Sequence, residues 1–371
     1  MKILLSRLRL IGDVVFTTPL VRAVRRRYPD AHLTYLVEPA AAPIVRDNPH
    51  ISELIVLPKR SGLARIRDDV ACGRALRARR FDIAIDLHGG PRSAWLTWAS
   101  GAPMRIGYTI TGRTWMYTHP VVRAADLAPR HSVTNQWDLL TPLGFEPASP
   151  THDPVEMVED PAAAARVDRR LGEAGIRPAD SIVLIHVSAG NPFRRWPAAA
   201  FEALIERLVR RDARRRVWLT SGPSDAEAAR EIANAARTRL GALASAVPDT
   251  GDVDLSELRS LIARAAVYIG GDSGPLHIAA TTGTPIVALL GPTLAERSMP
   301  WRDPRYFSEA VDMGTLPCRP CRQRACAPGD FRCLTGIGPE RVAAAAERAM
   351  ASGGRSRAHQ NDEAARAHGE R

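Results

Sequence analysis

Lysine is almost absent from this 371-residue chain: of its 51 basic residues, all but Lys2 and Lys59 are arginine. No stretch approaches the roughly 18 apolar residues that a membrane-spanning helix needs, and the best runs, at 182–187 and 285–290, are only strand-sized. A secretory leader is not expected at 1–16, because Arg7, Arg9 and Asp13 interrupt the first leucines and no small-residue cleavage site follows. The dinucleotide fingerprint G-x-G-x-x-G and the Walker sequence G-x-x-x-x-G-K-[ST] do not occur, which removes the main support for a dehydrogenase or a P-loop nucleotidase. Helix-turn-helix, zinc-finger and RNP-like aromatic signatures are missing too. These absences predict a cytoplasmic protein with no transmembrane segment.

What is present is an ordinary globular composition, 45% hydrophobic and 25% charged, so intrinsic disorder is excluded for the bulk of the chain. The length suits two domains of roughly 150 to 180 residues. The net charge of +11 implies an anionic partner such as nucleic acid, an acidic membrane surface or a phosphorylated substrate. Compositional drift towards arginine explains the same number without any partner.

Short β-rich runs alternate with helical stretches throughout. Strands are predicted at 2–6, 32–37, 53–57 and 81–87, with helices at 14–27 and 63–80. Between 127 and 161 the chain becomes rich in Pro, Asp and Glu around a predicted helix at 132–143, and then the pattern restarts. The second half carries apolar runs at 181–187, 216–220, 265–269 and 285–290, separated by helices at 197–211, 225–237, 254–263 and 275–282. Such alternation means α/β architecture with parallel sheets buried on both faces. The domain boundary is expected within 150–178, giving domains 1–165 and 166–350 and a disordered tail at 352–371.

Ligands of open parallel sheets bind where strands run into helices. The most informative junction is Tyr-Ile-Gly-Gly-Asp272-Ser273-Gly274-Pro-Leu-His277. Its two glycines let the backbone approach a ligand, Asp272 or Ser273 can cap a helix, and His277 falls on the first turn, so an anion pocket with a titratable imidazole is expected. A well-capped helix with a partly exposed histidine is the plainer account of the same residues. Two more junctions, around His186–Ser188 and around Thr220–Ser221, carry polar, Gly-containing loops to the same sheet edge, with Arg194 and Arg195 available to phosphate. A turn at Gly291-Pro-Thr293 closes the next strand. In the first half the counterpart is Gly12-Asp13 after the first strand, where the carboxylate is either a helix cap or a general base.

Gly12-Asp13, the Arg-Arg-Trp-Pro segment at 194–197 and, above all, Gly-Asp-Ser-Gly-Pro-Leu-His-Ile-Ala-Ala followed by Gly-Thr-Pro-Ile-Val-Ala-Leu-Leu-Gly-Pro-Thr293 resemble glycosyltransferase family 9, the ADP-heptose:lipopolysaccharide heptosyltransferases. The resemblance spans residues 1 to about 350 in order, and the 272–293 stretch is its most specific part. It implies two Rossmann-like domains facing across a cleft, the B-type glycosyltransferase fold, with an N-terminal acceptor domain and a C-terminal nucleotide-sugar domain. It implies Asp13 as catalytic base, Asp272, Ser273, Gly274 and His277 around the donor diphosphate and sugar, and Arg195 as partner of the leaving group; Ser188 and Ser221, on the neighbouring strand-end loops, are further donor-site candidates. The family's basic residue before Trp-Pro is usually Lys, and its Thr after the matching Asp is here Ser273. The implied acceptor is a phosphorylated, lipid-linked core saccharide at the inner face of the inner membrane, for which Gly12, Lys59 and Arg60 are candidate contacts, with Arg22, Arg25 and Arg26 on the first helix as further candidates. Peripheral contact with anionic lipid would follow; nucleic acid is not an expected partner. No cofactor is required for such a reaction.

Cys318, Cys321, Cys326 and Cys333 crowd into one Pro/Gly-rich segment with spacing C-x2-C-x4-C-x6-C, while Cys72 stands alone. A structural zinc or iron–sulfur site and a redox-labile pair both fit that crowding. Two other functions stay open alongside heptosyl transfer: transfer of a different nucleotide-activated sugar, and a non-catalytic protein that binds nucleotide or nucleic acid.

Overall fold

The computed structural model describes residues 1–125, 128–189 and 191–353; from 354 onward, the tail expected at 352–371 lies outside the described residues. The chain divides into two compact units, Met1–Val158 with Trp301–Asp303, and Glu159–Pro300 with the rest of the chain. Trp301 belongs to the first unit because its indole Nε1 donates to the Asp153 carbonyl at 2.8 Å, while Val155 N donates to the Trp301 carbonyl at 3.1 Å.

The first unit holds strands β1 (Lys2–Ser6), β2 (His32–Val37), β3 (Glu53–Val56), β4 (Ile83–Asp86), β5 (Met104–Tyr108) and β6 (His119–Val121). They form one parallel sheet in the order β3-β2-β1-β4-β5-β6. Its helices are α1 (Ile11–Val15), α2 (Thr18–Arg27), α3 (Ala42–Val45), α4 (Gly62–Arg79), α5 (Pro91–Ala99) and α6 (Ser132–Trp137). Leu4, Leu36, Ala84, Leu76 and Leu96 make part of its core, joining sheet to α4 and α5.

The helix expected over 14–27 is broken in two. Pro19 has no N–H to give to the Val15 carbonyl, and the Thr18 hydroxyl takes that acceptor instead at 2.8 Å; the Thr17 hydroxyl bonds the Val14 carbonyl at 2.7 Å. The helix expected over 132–143 likewise tightens after Trp137 into a 3₁₀ turn, Asp138–Leu143, which contains Pro142.

The second unit holds β7 (Ser181–His186), β8 (Arg215–Thr220), β9 (Val267–Gly271), β10 (Ile286–Leu290) and β11 (Ser308–Asp312), all parallel in the order β11-β10-β9-β7-β8. Helices α7 (Pro161–Glu173), α8 (Ala198–Arg211), α9 (Ala226–Leu240), α10 (Leu255–Arg264) and α11 (Gly274–Ala279) surround it, with a last helix over 339–353. α8 shows why the packing follows from sequence: Phe201, Leu204, Ile205, Leu208 and Val209 recur at the spacing of one helix face, and all are buried. α10 opens with a capping box, Asp254 accepting from Glu257 N at 2.8 Å and Glu257 from Asp254 N at 3.1 Å.

Both sheets are doubly wound, so each has one place where consecutive crossovers leave in opposite directions. That place lies between β1 and β4 in the first unit and between β7 and β9 in the second, and a crevice at the carboxyl ends of the two strands results. Ser6 is in register with Asp86 there, and His186 with Gly270.

Candidate active site

In the first unit the β1–β4 switch point gathers Arg7, Asp13 and the Leu87–Gly89 turn. Arg7 Nη1 donates to the Leu87 carbonyl at 2.6 Å, and Nη2 is ion-paired with the Asp13 carboxylate. The Arg7 side chain is 10% exposed and that of Asp13 is 30% exposed, so an anchored cation holds a carboxylate that solvent can reach. Asp13 is not the cap of its helix: the cap position is Leu10, held at φ 69°, and no side chain bonds there. A left-handed backbone at a leucine is uncommon and marks an over-determined turn. It turns the chain straight from β1 into α1 and brings Asp13 alongside Arg7.

Beneath this turn lies a polar centre that no local sequence pattern signals. Asp86 is completely buried and accepts from the Tyr117 hydroxyl at 2.6 Å, the Ser93 hydroxyl at 3.0 Å and the N–H groups of His88 (2.9 Å) and Gly89 (3.0 Å). Burial pushes its carboxyl above the usual range, against the pull of these donors. His88 is pushed down to about 4, first by burial and then by the charges of Arg7 and Arg9, so its ring is neutral at physiological pH.

The acceptor candidates separate. Lys59 and Arg60 are exposed, Arg60 pairing with Asp68 at 3.1 Å, and Gly12 lies within α1 beside Asp13. Arg22, Arg25 and Arg26 have structural work within the unit: Arg22 pairs with Glu156, Arg26 with Asp153 at 2.9 Å, and Arg25 caps the carbonyls of Pro29 and Ala31, each at 2.7 Å.

In the second unit the β7–β9 switch point gathers Asp272, His277, Arg194 and Thr293. Asp272 is buried, with one oxygen 2.9 Å from Arg194 Nη1 and the other 3.7 Å from His277 Nε2. Burial alone would raise its pKa, but the nearby His277 imidazole, the Arg194 charge and the Thr293 hydroxyl outweigh it and hold Asp272 at about 2. His277 is itself buried, unlike the half-exposed residue that a simple capped helix would present. Ser273 occupies the cap position of α11 without a capping bond; its hydroxyl donates to the Gly271 carbonyl at 3.4 Å, and Gly274 begins the helix.

The neighbouring loops are tied to each other. The Ser188 hydroxyl accepts from Gly222 N at 2.8 Å, next to Ser221, and His186 Nδ1 lies 3.0 Å from the Thr220 hydroxyl. Arg195 turns to Asp225, at 2.6 Å, whereas Arg194 is the residue set on Asp272. A Cβ on Gly270 would stand 2.6 Å from the Tyr268 hydroxyl and press on its ring, whereas one on Gly271 would only touch the Arg194 carbonyl, at 3.4 Å. Gly270 therefore makes room for the protein's own Tyr268.

The cysteine segment lies against this site. Arg319 Nη2 donates to the Thr293 carbonyl and to Asp312, at 2.8 and 2.7 Å; Cys321 N donates to the Pro292 carbonyl at 3.4 Å; and the Phe193 and Phe331 rings sit 5.3 Å apart. The thiols of Cys318, Cys321, Cys326 and Cys333 are free and half-buried, and burial, with the nearby sulfurs, pushes Cys333 up. Among the described residues no group of three or more His, Cys, Asp or Glu is arranged to hold a metal ion, and no helix is long and apolar enough to cross a membrane.

Residues 70–330 match glycosyltransferase family 9 (heptosyltransferase). The chain is 31% identical to lipopolysaccharide heptosyltransferase 3 of Escherichia coli over 327 residues, 85% of this chain and 91% of that protein. Its fold is shared with the family 9 glycosyltransferase of Veillonella parvula DSM 2008, at TM-score 0.81 and 24% identity over 94% of this chain and 97% of that one. It is likewise shared with E. coli ADP-heptose lipopolysaccharide heptosyltransferase II, at TM-score 0.72 and 20% identity over 94% and 98%. The chain belongs to glycosyltransferase family 9 and is an enzyme of that family.

Proposed function

We propose that this member of glycosyltransferase family 9 moves a heptose from ADP-heptose to the core saccharide attached to lipid A, with inversion at the anomeric carbon. The observation that carries the reading is the buried Asp272 with Arg194 and His277 at the β7–β9 switch point, a preorganised polar corner where the partly exposed Arg194 would meet a sugar diphosphate. The names of the matched relatives, lipopolysaccharide heptosyltransferase 3 and ADP-heptose lipopolysaccharide heptosyltransferase II, support the choice of donor and acceptor.

In this mechanism the second unit holds the donor. Arg194, fixed on Asp272, meets the negative charge that builds on the departing ADP, and Ser188, Ser221, Ser273, Gly274 and His277 line the same strand ends. Preorganised charge of this kind is worth most in a dry site. Arg195, engaged with Asp225, adds positive potential nearby. Asp13, in the first unit, takes the proton from the attacking acceptor hydroxyl as the new C–O bond forms and the anomeric C–O bond to the diphosphate breaks. One carboxylate suffices, because the leaving group needs no protonation by a second acid. Charge stabilisation comes from the chain's own cations, so the step calls for no cofactor.

Gly12, Lys59 and Arg60 are the proposed acceptor contacts, and a lipid-anchored acceptor would bring the enzyme to the anionic inner face of the inner membrane. The test is transfer from ADP-heptose, ADP-glucose, UDP-glucose and GDP-mannose to a heptose-free lipid A core, with Asp13→Ala alongside. Transfer from ADP-heptose alone, lost in the variant, is the expected result. Transfer from another donor would redirect the substrate, and near-normal turnover by Asp13→Ala would remove the base.

A further inference from the structure

The cysteine-rich segment sends one side chain into the donor corner. Gln323, between Cys321 and Cys326, accepts a hydrogen bond from Arg194 Nε through its Oε1, and its Nε2 donates to the Thr293 hydroxyl at 3.3 Å. Its backbone is in the left-handed region, φ 56°, uncommon for a residue with a Cβ. The segment is anchored on both sides of it by Arg319 on Thr293 and Asp312 and by Phe331 on Phe193.

A guanidinium offers five N–H donors in a planar fork. On Arg194, Nε donates to Gln323, and Nη1 donates to the backbone carbonyl of Asp272 at 3.0 Å while standing in ion-pair contact with its carboxylate at 2.9 Å. Nη2 has no partner among the described residues, and the side chain is 31% exposed. Asp272 alone could rotate the fork into a side-on pair that uses up Nε and Nη2. An acceptor already seated on Nε prevents this and leaves Nη2 open. That acceptor is a neutral amide, so Arg194 faces one carboxylate and not two.

We propose that Gln323 is a positioning residue for the donor diphosphate: it orients Arg194 and keeps its charge available, and the cysteine-rich segment is the wall that presents it. The inference rests on the proposed donor site in the second unit and adds a residue that local sequence grammar does not mark. It also gives the cysteine-rich segment a task that requires no chemistry at sulfur.

The test compares the full-length wild type with Gln323→Glu and Gln323→Ala in calorimetric titration with ADP, in competition binding of adenosine, and in steady-state transfer. Glu still offers Nε an acceptor, but it has no N–H to give the Thr293 hydroxyl and it sets a second carboxylate on Arg194. We expect it to weaken ADP by about ten-fold or more while adenosine, which carries no phosphate, changes by less than about two-fold. Ala should weaken ADP by roughly three- to ten-fold and raise the donor KM more than it lowers kcat. ADP affinity unchanged in both variants overturns the proposal. Equal losses for ADP and adenosine also overturn it, since they would make Gln323 a support of the loop only. If the wild type binds none of ADP, UDP and GDP, the donor-site reading itself falls, and that result is read before any variant is made.

Discussion

Arg7 and Asp13 are six residues apart, yet they meet as an anchored ion pair because the strand ends and the helix begins between them. One terminal nitrogen of Arg7 is fixed on the Leu87 carbonyl at 2.6 Å, and the other holds the Asp13 carboxylate. The pair ties the end of β1 to the end of β4 and sets the direction of the proposed base. Arg7→Met should therefore lower kcat by about ten- to a hundred-fold, the range expected when a reacting group is displaced by about 1 Å, while ADP affinity stays within two-fold. Arg7→Lys should recover only part of the loss, since a single ammonium cannot hold both partners in the same geometry. Steady-state kinetics beside calorimetry make the comparison, and a loss of ADP binding in Arg7→Met would refute it.

Arg194 supports stability as well as binding. Its removal leaves Asp272 as a buried carboxylate without its guanidinium, a change that typically costs about 3–5 kcal/mol. Arg194→Ala should thus lower the thermal midpoint and the ADP affinity together. Arg194→Ala combined with Asp272→Asn should regain much of the midpoint but not the ADP affinity. A double variant that binds ADP like the wild type would show that the charge is not used for the donor.

The pH dependence has two parts, both of which lower stability on acidification, but in separate windows. Asp272 is held down to about 2, so the stability it lends is present above the ordinary aspartate range and is lost only as pH falls through about 2; between pH 5 and 8 its pair with Arg194 does not titrate. His186 is pushed down to about 4 by burial. The unfolded chain binds a proton at this histidine below about 6.5 that the folded chain refuses until about 4, so stability falls on acidification through that window, by about 3 kcal/mol in all. Thermal midpoints from pH 7.5 to 4.5 should drop, and His186→Asn should flatten the curve. An unchanged slope in the variant would assign the effect elsewhere, His88 being the next group with the same displacement.

Tyr117 and Gly107 form a lock above Asp86. A Cβ on Gly107 would stand 2.3 Å from the Tyr117 ring, whose hydroxyl donates to Asp86 at 2.6 Å. Tyr117→Phe removes one donor from a fully buried carboxyl, and about 1–3 kcal/mol of stability should go with it. Gly107→Ala displaces the whole ring and should cost at least as much. Chemical denaturation measures both, and a Tyr117→Phe protein as stable as wild type would mean that Asp86 is satisfied without it.

Much of this was legible in sequence because it depends on neighbours along the chain. The apolar runs at 181–187 and 285–290 read as buried strands, and 197–211 as a helix. The Gly-Gly-Asp-Ser-Gly-Pro junction at 270–275 could be recognised as a strand-to-helix turn, and the 272–293 stretch carried the family. The division of the long helix at 16–17 was not foreseen, although Pro19 and the two threonines before it held the signal: a missing N–H and two hydroxyls ready to take the freed carbonyls.

Composition, periodicity and local turn chemistry thus determined that the protein is α/β, that its sheets are parallel, and that polar loops fall at strand ends. Only the tertiary structure decided which of those loops meet. The strand order makes β4 the neighbour of β1 and β9 the neighbour of β7, and no interaction within a short window of sequence fixes that order. It is why Arg7 reaches Leu87, why Arg194 and not Arg195 is set on Asp272, and why Gln323, 129 residues further along, completes the same guanidinium. Side-chain contacts of that range depend on how whole elements pack, because each buried polar group must find its partner wherever the folded chain supplies one.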